Sequence, residues 1–258
     1  MKPRVSIIIP TLGRNTLYPL IKNLLKQKVD FNYEIVLIPQ IKLKTLPKNK
    51  RIKIYFKNSG KGFAYYRNVG VKKSKGEIVV FIDDDELPMS LNWLKNITKP
   101  ILNGKEKVVT SGYKIKLDQG YLTDCISLLG FPGGGAIGFE TMWPLKEKNY
   151  TYHICSGNMA LDKKVFEKVG NFSTTLKLRN DDTEFNQRLE RKCKILYLRE
   201  NEVYHVARQG YLNAIKNFIF QGRSAYEINN IVKKRKDIDS NRFASSFREI
   251  GKDTTNKI

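Results

Sequence analysis

The chain has 258 residues, and 47 Lys and Arg against 25 Asp and Glu give a formal charge of +22. Hydrophobic residues make up 41% and aromatics 11%, enough apolar side chain for a core and too much for a disordered or collagen-like chain. The length suits one domain, or one domain with an appendage. Cys125, Cys155 and Cys193 lie far apart without a C-x-x-C pair, which argues against a disulfide framework or a thiolate zinc site and makes a reducing, cytoplasmic compartment the expectation. The opening apolar run is closed by Pro10 and is too brief for a signal peptide. No later stretch approaches the ~20 apolar residues of a membrane span. The basic excess favours anionic partners: nucleic acid, an acidic membrane surface or phosphorylated small molecules.

In chain order, short β-branched runs alternate with helix-like segments, the pattern of an α/β protein with a mainly parallel sheet. A strand Val5–Ile9 precedes a helix with Leu17, Leu20, Ile21, Leu24 and Leu25 at helical spacing, ended by the polar break at Lys26–Lys28. A strand Glu34–Ile38, a basic loop around Pro47, a strand Ile52–Phe56, a helix from about Phe63 to Lys73 and a strand Ile78–Ile82 follow. From Asn103 to Tyr150 the pattern loosens, and the glycine-rich FPGGGAIGF within it reads as a loop. A helix is expected from an N-cap at Asp162 through Val165, Phe166 and Val169 to a stop at Gly170. Another begins near Asp182 with Phe185 and Leu189 one turn apart. A third carries Tyr211, Ile215, Phe218, Ile219 and Tyr226 on one side and leads to the basic run Lys233–Lys236.

The string VVFIDDDE ends an apolar strand in four acids, Asp83 to Glu86. Strand alternation puts Asp83 and Asp85 on the same side, where two carboxylates repel unless a cation lies between them. Hard oxygen ligands at the C-terminal edge of a strand suit Mg²⁺ or Mn²⁺ bridging to substrate phosphates; a solvated acidic turn is the alternative. Arg67 shares a helical face with Ala64 and Val71, which turns it toward the sheet edge, where a guanidinium binds diphosphate bidentately. Asp181 and Asp182 precede a helix, a position that serves capping and a permanently ionised general base alike.

Taken together, Asn58 to Glu86 resembles the nucleotide-sugar half of family 2 glycosyltransferases: Asn and Gly, then Arg67-Asn68 on a helix, then Gly76-Glu77 and an acid-ended strand. The start VSIIIPTLGR, the segment SGNMALDKKVFEKVGNF, the motif NDDTEFNQRL, and His205 with Arg208 and FIFQGRS are similar to that family's remaining elements, in the family's order. The resemblance implies a GT-A type fold over residues 1–225, divided into a nucleotide-sugar-binding half, 1–102, and an acceptor-binding half, 103–225, with a basic helical tail over 226–258. It implies a metal-dependent inverting transfer from a nucleoside-diphosphate sugar to a glycan or lipid-linked acceptor. Asp182 becomes the base with Asp181 beside it, and Asp83, Asp85 and His205 become ligands of Mn²⁺ or Mg²⁺. Pro10, Thr11, Arg14, Gln40, Arg67, Asp83, Asp84, Gly157 and Asn158 are assigned to the donor, and Gly134, Gly135 and Trp143 to the acceptor. One departure stands out: Pro39-Gln40 occupies the place where the family usually has an Asp that reads the base. The basic tail suggests a peripheral position on the inner, anionic face of a membrane. A basic nucleic-acid-binding module and a related nucleotidyltransferase are the competing readings; the first lacks any recognisable nucleic-acid motif, and the second lacks a glycine-rich phosphate loop near the start.

Overall fold

The computed structural model describes residues 2–43, 46–115, 149–175 and 181–205, with single positions at 120, 121, 124, 125, 145, 212, 215, 216, 219, 222, 223 and 226. Its centre is two apolar strands, β1 (Val5–Thr11) and β2 (Tyr33–Pro39), buried along their whole length and paired in parallel with Val5 opposite Tyr33. Burial on both faces is what a continuous apolar run without alternation produces in a parallel sheet. β3 (Ile52–Ile54) flanks β2, and β4 (Ile78–Phe81) pairs in parallel with the other side of β1.

Helices cover both faces because alternate residues of β1 point opposite ways. Ile7 and Ile9 pack with α1 (Leu17–Leu25) and α3 (Trp93–Leu102), whereas Ile8 packs toward α2 (Phe63–Lys73), α4 (Val165–Val169) and α5 (Asp181–Glu190). α1 buries Leu17, Leu20, Ile21 and Leu24, the stripe that its spacing predicts. α2 lies so close to β1 that a Cβ at Gly70 would stand 2.3 Å from Ile8 Cγ2. On the same face Phe172 and Phe185 stack with ring centroids 4.3 Å apart.

The later part of the chain joins the same sheet. β9 (Met159–Asp162) inserts antiparallel between β4 and β6 (Val108–Thr110), and β10 (Ile195–Tyr197) and β8 (Tyr150–Thr151) extend it. Among the described residues the order is β3-β2-β1-β4-β9-β6-β10-β8. A smaller sheet sets β11 (Val203–His205) between β5 (Glu86–Pro88) and β7 (Tyr113–Ile115), with Glu86 opposite His205.

Three expectations are corrected. Asp162 is the last residue of β9 and not a helix N-cap; its carboxylate accepts Lys164 N–H in the turn before α4, which starts at Val165. The stretch after Asn103 contains β6 and β7, each three residues long and so too short to display a period. β4 ends at Phe81, so the acids beyond it follow a turn and the pleat does not set their directions.

Candidate active site

The carboxyl ends of β1 and β4 deliver two loops to one edge of the sheet, the edge at which open α/β folds take ligands. Beyond β4 the chain turns, with Glu86 N–H donating to Asp83 O at 3.2 Å. Asp84 is buried and tied to the loop after β1: one oxygen accepts Thr11 Oγ1 at 2.6 Å and Leu12 N–H at 3.1 Å, the other Arg14 Nη1 at 2.6 Å. The same Arg14 nitrogen donates to Asp85 Oδ2 at 2.9 Å. Asp85 Oδ1 in turn faces His205 Nε2 at 3.9 Å, and the His205 ring packs on Tyr113 with centroids 5.2 Å apart.

Arg67 occupies the buried face of α2 with Ala64 and Val71. Its Nη1 donates to Asp181 Oδ2 at 2.7 Å, and its Nη2 to Asp83 Oδ1 and to Ser156 Oγ, each at 3.2 Å. Ser156 Oγ–H in turn donates to Asp182 Oδ2 at 3.0 Å. One guanidinium therefore bridges the acid turn and the start of α5, where Asp182 Oδ1 also accepts Thr183 N–H at 2.8 Å. The first turn of a helix favours both carboxylates through its dipole. Burial raises the Asp83 carboxyl to about 6, Arg67 opposing the rise and Asp85, Asp84 and Asp182 adding to it. Burial also raises Asp181, with Arg67 pulling back and Asp182 pushing further.

Beneath this network lies the segment Ser156–Asn158. Gly157 has room for no side chain, since a Cβ there would fall 2.1 Å from Glu86 Oε1. Glu86 is itself buried, which raises its carboxyl well above the usual range, and its Oε2 accepts Asp83 N–H at 3.1 Å. Asn158 is held from three sides: its oxygen accepts Trp93 Nε1–H at 2.9 Å, and its amide nitrogen donates to Gly112 O and Asn201 O. Pro10 and Thr11 end β1, and Gln40 N–H donates to Thr11 O at 3.0 Å.

The structure thus brings Arg14, Arg67, Asp83, Asp84, Asp85, Asp181, Asp182 and His205 into two linked clusters. Asn158 serves as a brace between α3 and the smaller sheet, with its side-chain capacity used inside the protein. Gly134, Gly135 and Trp143 lie outside the described residues. Ser156, Glu86 and Trp93 belong to the network although the sequence assigned none of them a site role, Glu86 being marked only as the last of four adjacent acids. Ser156 had a legible signal, a small hydroxyl directly before Gly157-Asn158, whereas burial of Glu86 depends on its pairing in β5.

Among the described residues no three His, Cys, Asp or Glu side chains form a ready metal cage. Asp85 Oδ1 and His205 Nε2 nevertheless face each other at 3.9 Å, and a carboxylate oxygen beside an imidazole nitrogen is a donor set that suits a divalent cation such as Mn²⁺. A carboxylate completed by substrate oxygens is the usual protein contribution to a Mg²⁺ site, and the imidazole beside it favours Mn²⁺.

The sequence profile described as Glycosyl transferase family 2 matches residues 6–170, more than half of the chain. An "Uncharacterized glycosyltransferase" of Rickettsia bellii (strain RML369-C) is 36% identical over 92 residues, which cover 33% of this chain and 13% of that protein. One with the same description from Haemophilus influenzae is 27% identical over 86 residues, 32% of this chain and 29% of its own length. The chain therefore spans well under half of the curated relatives it matches. Among solved structures, S. aureus TarS 1–349 in complex with UDP-GlcNAc superposes with a TM-score of 0.58 at 20% identity, covering 81% of this chain and 60% of that one. The mannosyltransferase PcManGT from Pyrobaculum calidifontis, in complex with GDP-Man and Mn²⁺, gives 0.62 at 15% identity, covering 93% and 66%. With the profile match spanning the acid turn and the Ser156–Asn158 segment, and the GT-A fold shared with these structures, the chain belongs to glycosyl transferase family 2.

Proposed function

We propose that this chain is a metal-dependent, inverting glycosyltransferase that moves a sugar from a nucleoside-diphosphate sugar to an acceptor hydroxyl on a glycan or lipid-linked glycan. The observation that carries the reading is the Arg67 bridge: it fixes an acidic turn at the ligand edge of the sheet beside a second carboxylate pair, Asp181-Asp182. Solved relatives of this fold hold UDP-GlcNAc, and GDP-Man with Mn²⁺, which supports a nucleotide sugar and a divalent cation here.

Asp85 and His205 would hold Mn²⁺ or Mg²⁺, while Asp83, expected as a further ligand, is engaged by Arg67. When bound, that cation supplies positive charge to the departing diphosphate. Arg14 adds a guanidinium on the side of the β1 loop, while Arg67 keeps Asp83 and Asp181 apart in charge. Thr11 and Gln40 border the position of the nucleoside. Asp182 stands ready to take a proton at Oδ2, the oxygen that Ser156 Oγ orients. In the transfer, the acceptor oxygen bonds to the anomeric carbon from the face opposite the diphosphate and gives its proton to Asp182. The bond from that carbon to the phosphate oxygen breaks, and the electron pair leaves with the nucleoside diphosphate, so one base suffices for inversion.

A lipid-linked acceptor implies a site at the inner, anionic face of a membrane. Leu212, Ile215, Ile219 and Tyr226 are exposed at helical spacing with Lys216 and Arg223 among them, and Lys233–Lys236 follow in sequence. Each such basic residue near an anionic surface contributes about 1 kcal/mol. Among the described residues no helix is long and apolar enough to cross a membrane.

The test is Asp182→Asn, assayed for transfer and, by thermal shift, for binding of UDP, GDP, CDP and dTDP sugars with Mn²⁺, with Mg²⁺ and with EDTA. Transfer is expected to disappear while the cation-dependent shift of the preferred donor persists. Turnover surviving the substitution rejects Asp182 as the base, and no shift with any nucleotide sugar rejects the donor site.

A further inference from the structure

Arg14 is placed unlike an ordinary surface arginine. Its Nη1 lies 2.6 Å from Asp84 Oδ1 and 2.9 Å from Asp85 Oδ2, so one donor nitrogen serves two adjacent carboxylates. Asp84 cannot swing away, because Thr11 Oγ1 and Leu12 N–H hold its other oxygen. The guanidinium is thereby anchored on Asp84 and leans on Asp85 from the side opposite His205, which faces Asp85 Oδ1. It also remains partly open to solvent, with 30% of its side chain exposed, whereas Asp85 retains only 15%.

We propose that Arg14 is a built-in counter-ion for Asp85 that keeps a divalent cation from settling there until a diphosphate arrives. This rests on the reading of Asp85 and His205 as the cation's protein ligands. Without diphosphate, a cation on Asp85 Oδ1 shares that carboxylate with a fixed positive charge, and the repulsion acts where solvent screens poorly. A diphosphate offers the guanidinium a better partner, since planar N–H pairs match phosphate oxygens. Arg14 then loosens its hold on Asp85 Oδ2, and the phosphate charge offsets the repulsion. Cation and donor consequently bind as a unit: each strengthens the other by the same factor, as linkage requires. Arg14 acts on the cation through Asp85 and is a positioning residue in that respect.

The experiment measures Mn²⁺ binding from the spin-resonance signal of free Mn²⁺, with the protein alone and with saturating UDP or GDP. In the parent chain, Mn²⁺ binds weakly alone and at least about tenfold more tightly with the preferred nucleotide. In Arg14→Gln, Mn²⁺ alone is expected to bind about tenfold more tightly than to the parent, while the nucleotide's own strengthening of that affinity falls by about the same factor, leaving only what the diphosphate oxygens contribute as ligands. Arg14→Lys, which keeps the charge without the fork, stays weak for Mn²⁺ alone and guards against a misfolded glutamine variant. Asp85→Asn is the control for the site. Should Arg14→Gln bind Mn²⁺ alone no better than the parent while Asp85→Asn abolishes binding, the counter-ion role is wrong and the metal site stands. Should Asp85→Asn leave Mn²⁺ binding unchanged in the presence of nucleotide, the metal-site reading fails and the inference falls with it.

Discussion

Arg67→Met removes the cation that pairs with both Asp83 and Asp181. Arg67 and Asp181 keep only 5% and 10% of their side chains exposed, so the carboxylate left behind has little water to turn to. Deleting one member of a buried ion pair costs about 3–5 kcal/mol, most of it the penalty on the abandoned partner. For a chain of this length that corresponds to a fall in Tm of roughly 6–20 °C. The loss has a distinctive pH dependence. Arg67 lowers the proton affinity of both carboxyls, which burial raises, Asp83 to about 6. Without Arg67 the folded state retains protons to higher pH than the parent does. The deficit is therefore largest at high pH, shrinks as pH falls through the variant's higher carboxyl range, and levels off below about 6, where the parent's Asp83 is protonated as well. Urea unfolding followed by circular dichroism at pH 8 and pH 5 measures both numbers, and adding Asp181→Asn to Arg67→Met should recover part of the loss at pH 8. A deficit below about 1 kcal/mol, or one equal at the two pH values, refutes the claim that Arg67 neutralises the buried Asp181 and the half-buried Asp83.

Two further substitutions probe the scaffold. Gly70→Ala drives a methyl to 2.3 Å from Ile8 Cγ2 and should destabilise by about 1–3 kcal/mol despite alanine's better helix propensity; combining it with Ile8→Ala should yield less than the sum of the single losses, and strict additivity in the urea midpoints would count against the close α2–β1 approach. Burial lowers His153 to about 4, below its ordinary 6.5, so the folded state resists a proton that the unfolded chain accepts. Stability from this source is intact above pH 6.5 and is lost as pH falls toward 4, with a ceiling of about 3 kcal/mol that partial solvent contact reduces. His153→Gln should flatten this slope relative to the parent, the opposing carboxyl contributions of Asp83 and Glu86 cancelling in the difference; identical slopes would place His153 in water.

Much of the framework was legible because it depends on local pattern. The α1 stripe, the α2 boundaries at Phe63 and Lys73, and the inward turn of Arg67 all follow from helical spacing, and the structure matches them. The acids were legible as a cluster, yet their individual partners were not. Alternation along a strand treats Asp83 and Asp85 as equivalent, whereas the turn after Phe81 sends one to Arg67 and the other to Arg14 and His205. The direction of Asp85 is set by a contact 71 positions away, with Arg14, and that of Asp83 by Arg67, 16 positions back on a separate element. Asn158 illustrates the same limit. The sequence marks it as special, but its bonds to Trp93, Gly112 and Asn201 make sense only once three distant segments converge.

The position of β9 carries a consequence for biosynthesis. β4 has its second neighbour only when Met159–Asp162 arrives, with Phe81 opposite Met159. Nearly 80 residues separate these partners, so at about 5–20 residues per second a ribosome leaves one side of β4 unpaired for on the order of 4–16 s. During that interval Ile78, Val79, Val80 and Phe81 present a row of open backbone groups on an apolar strand, the template on which nascent chains join one another. The danger passes when the antiparallel strand slots in. A fragment ended near residue 102 would keep that edge open permanently and should collect in inclusion bodies to a greater extent than the whole chain.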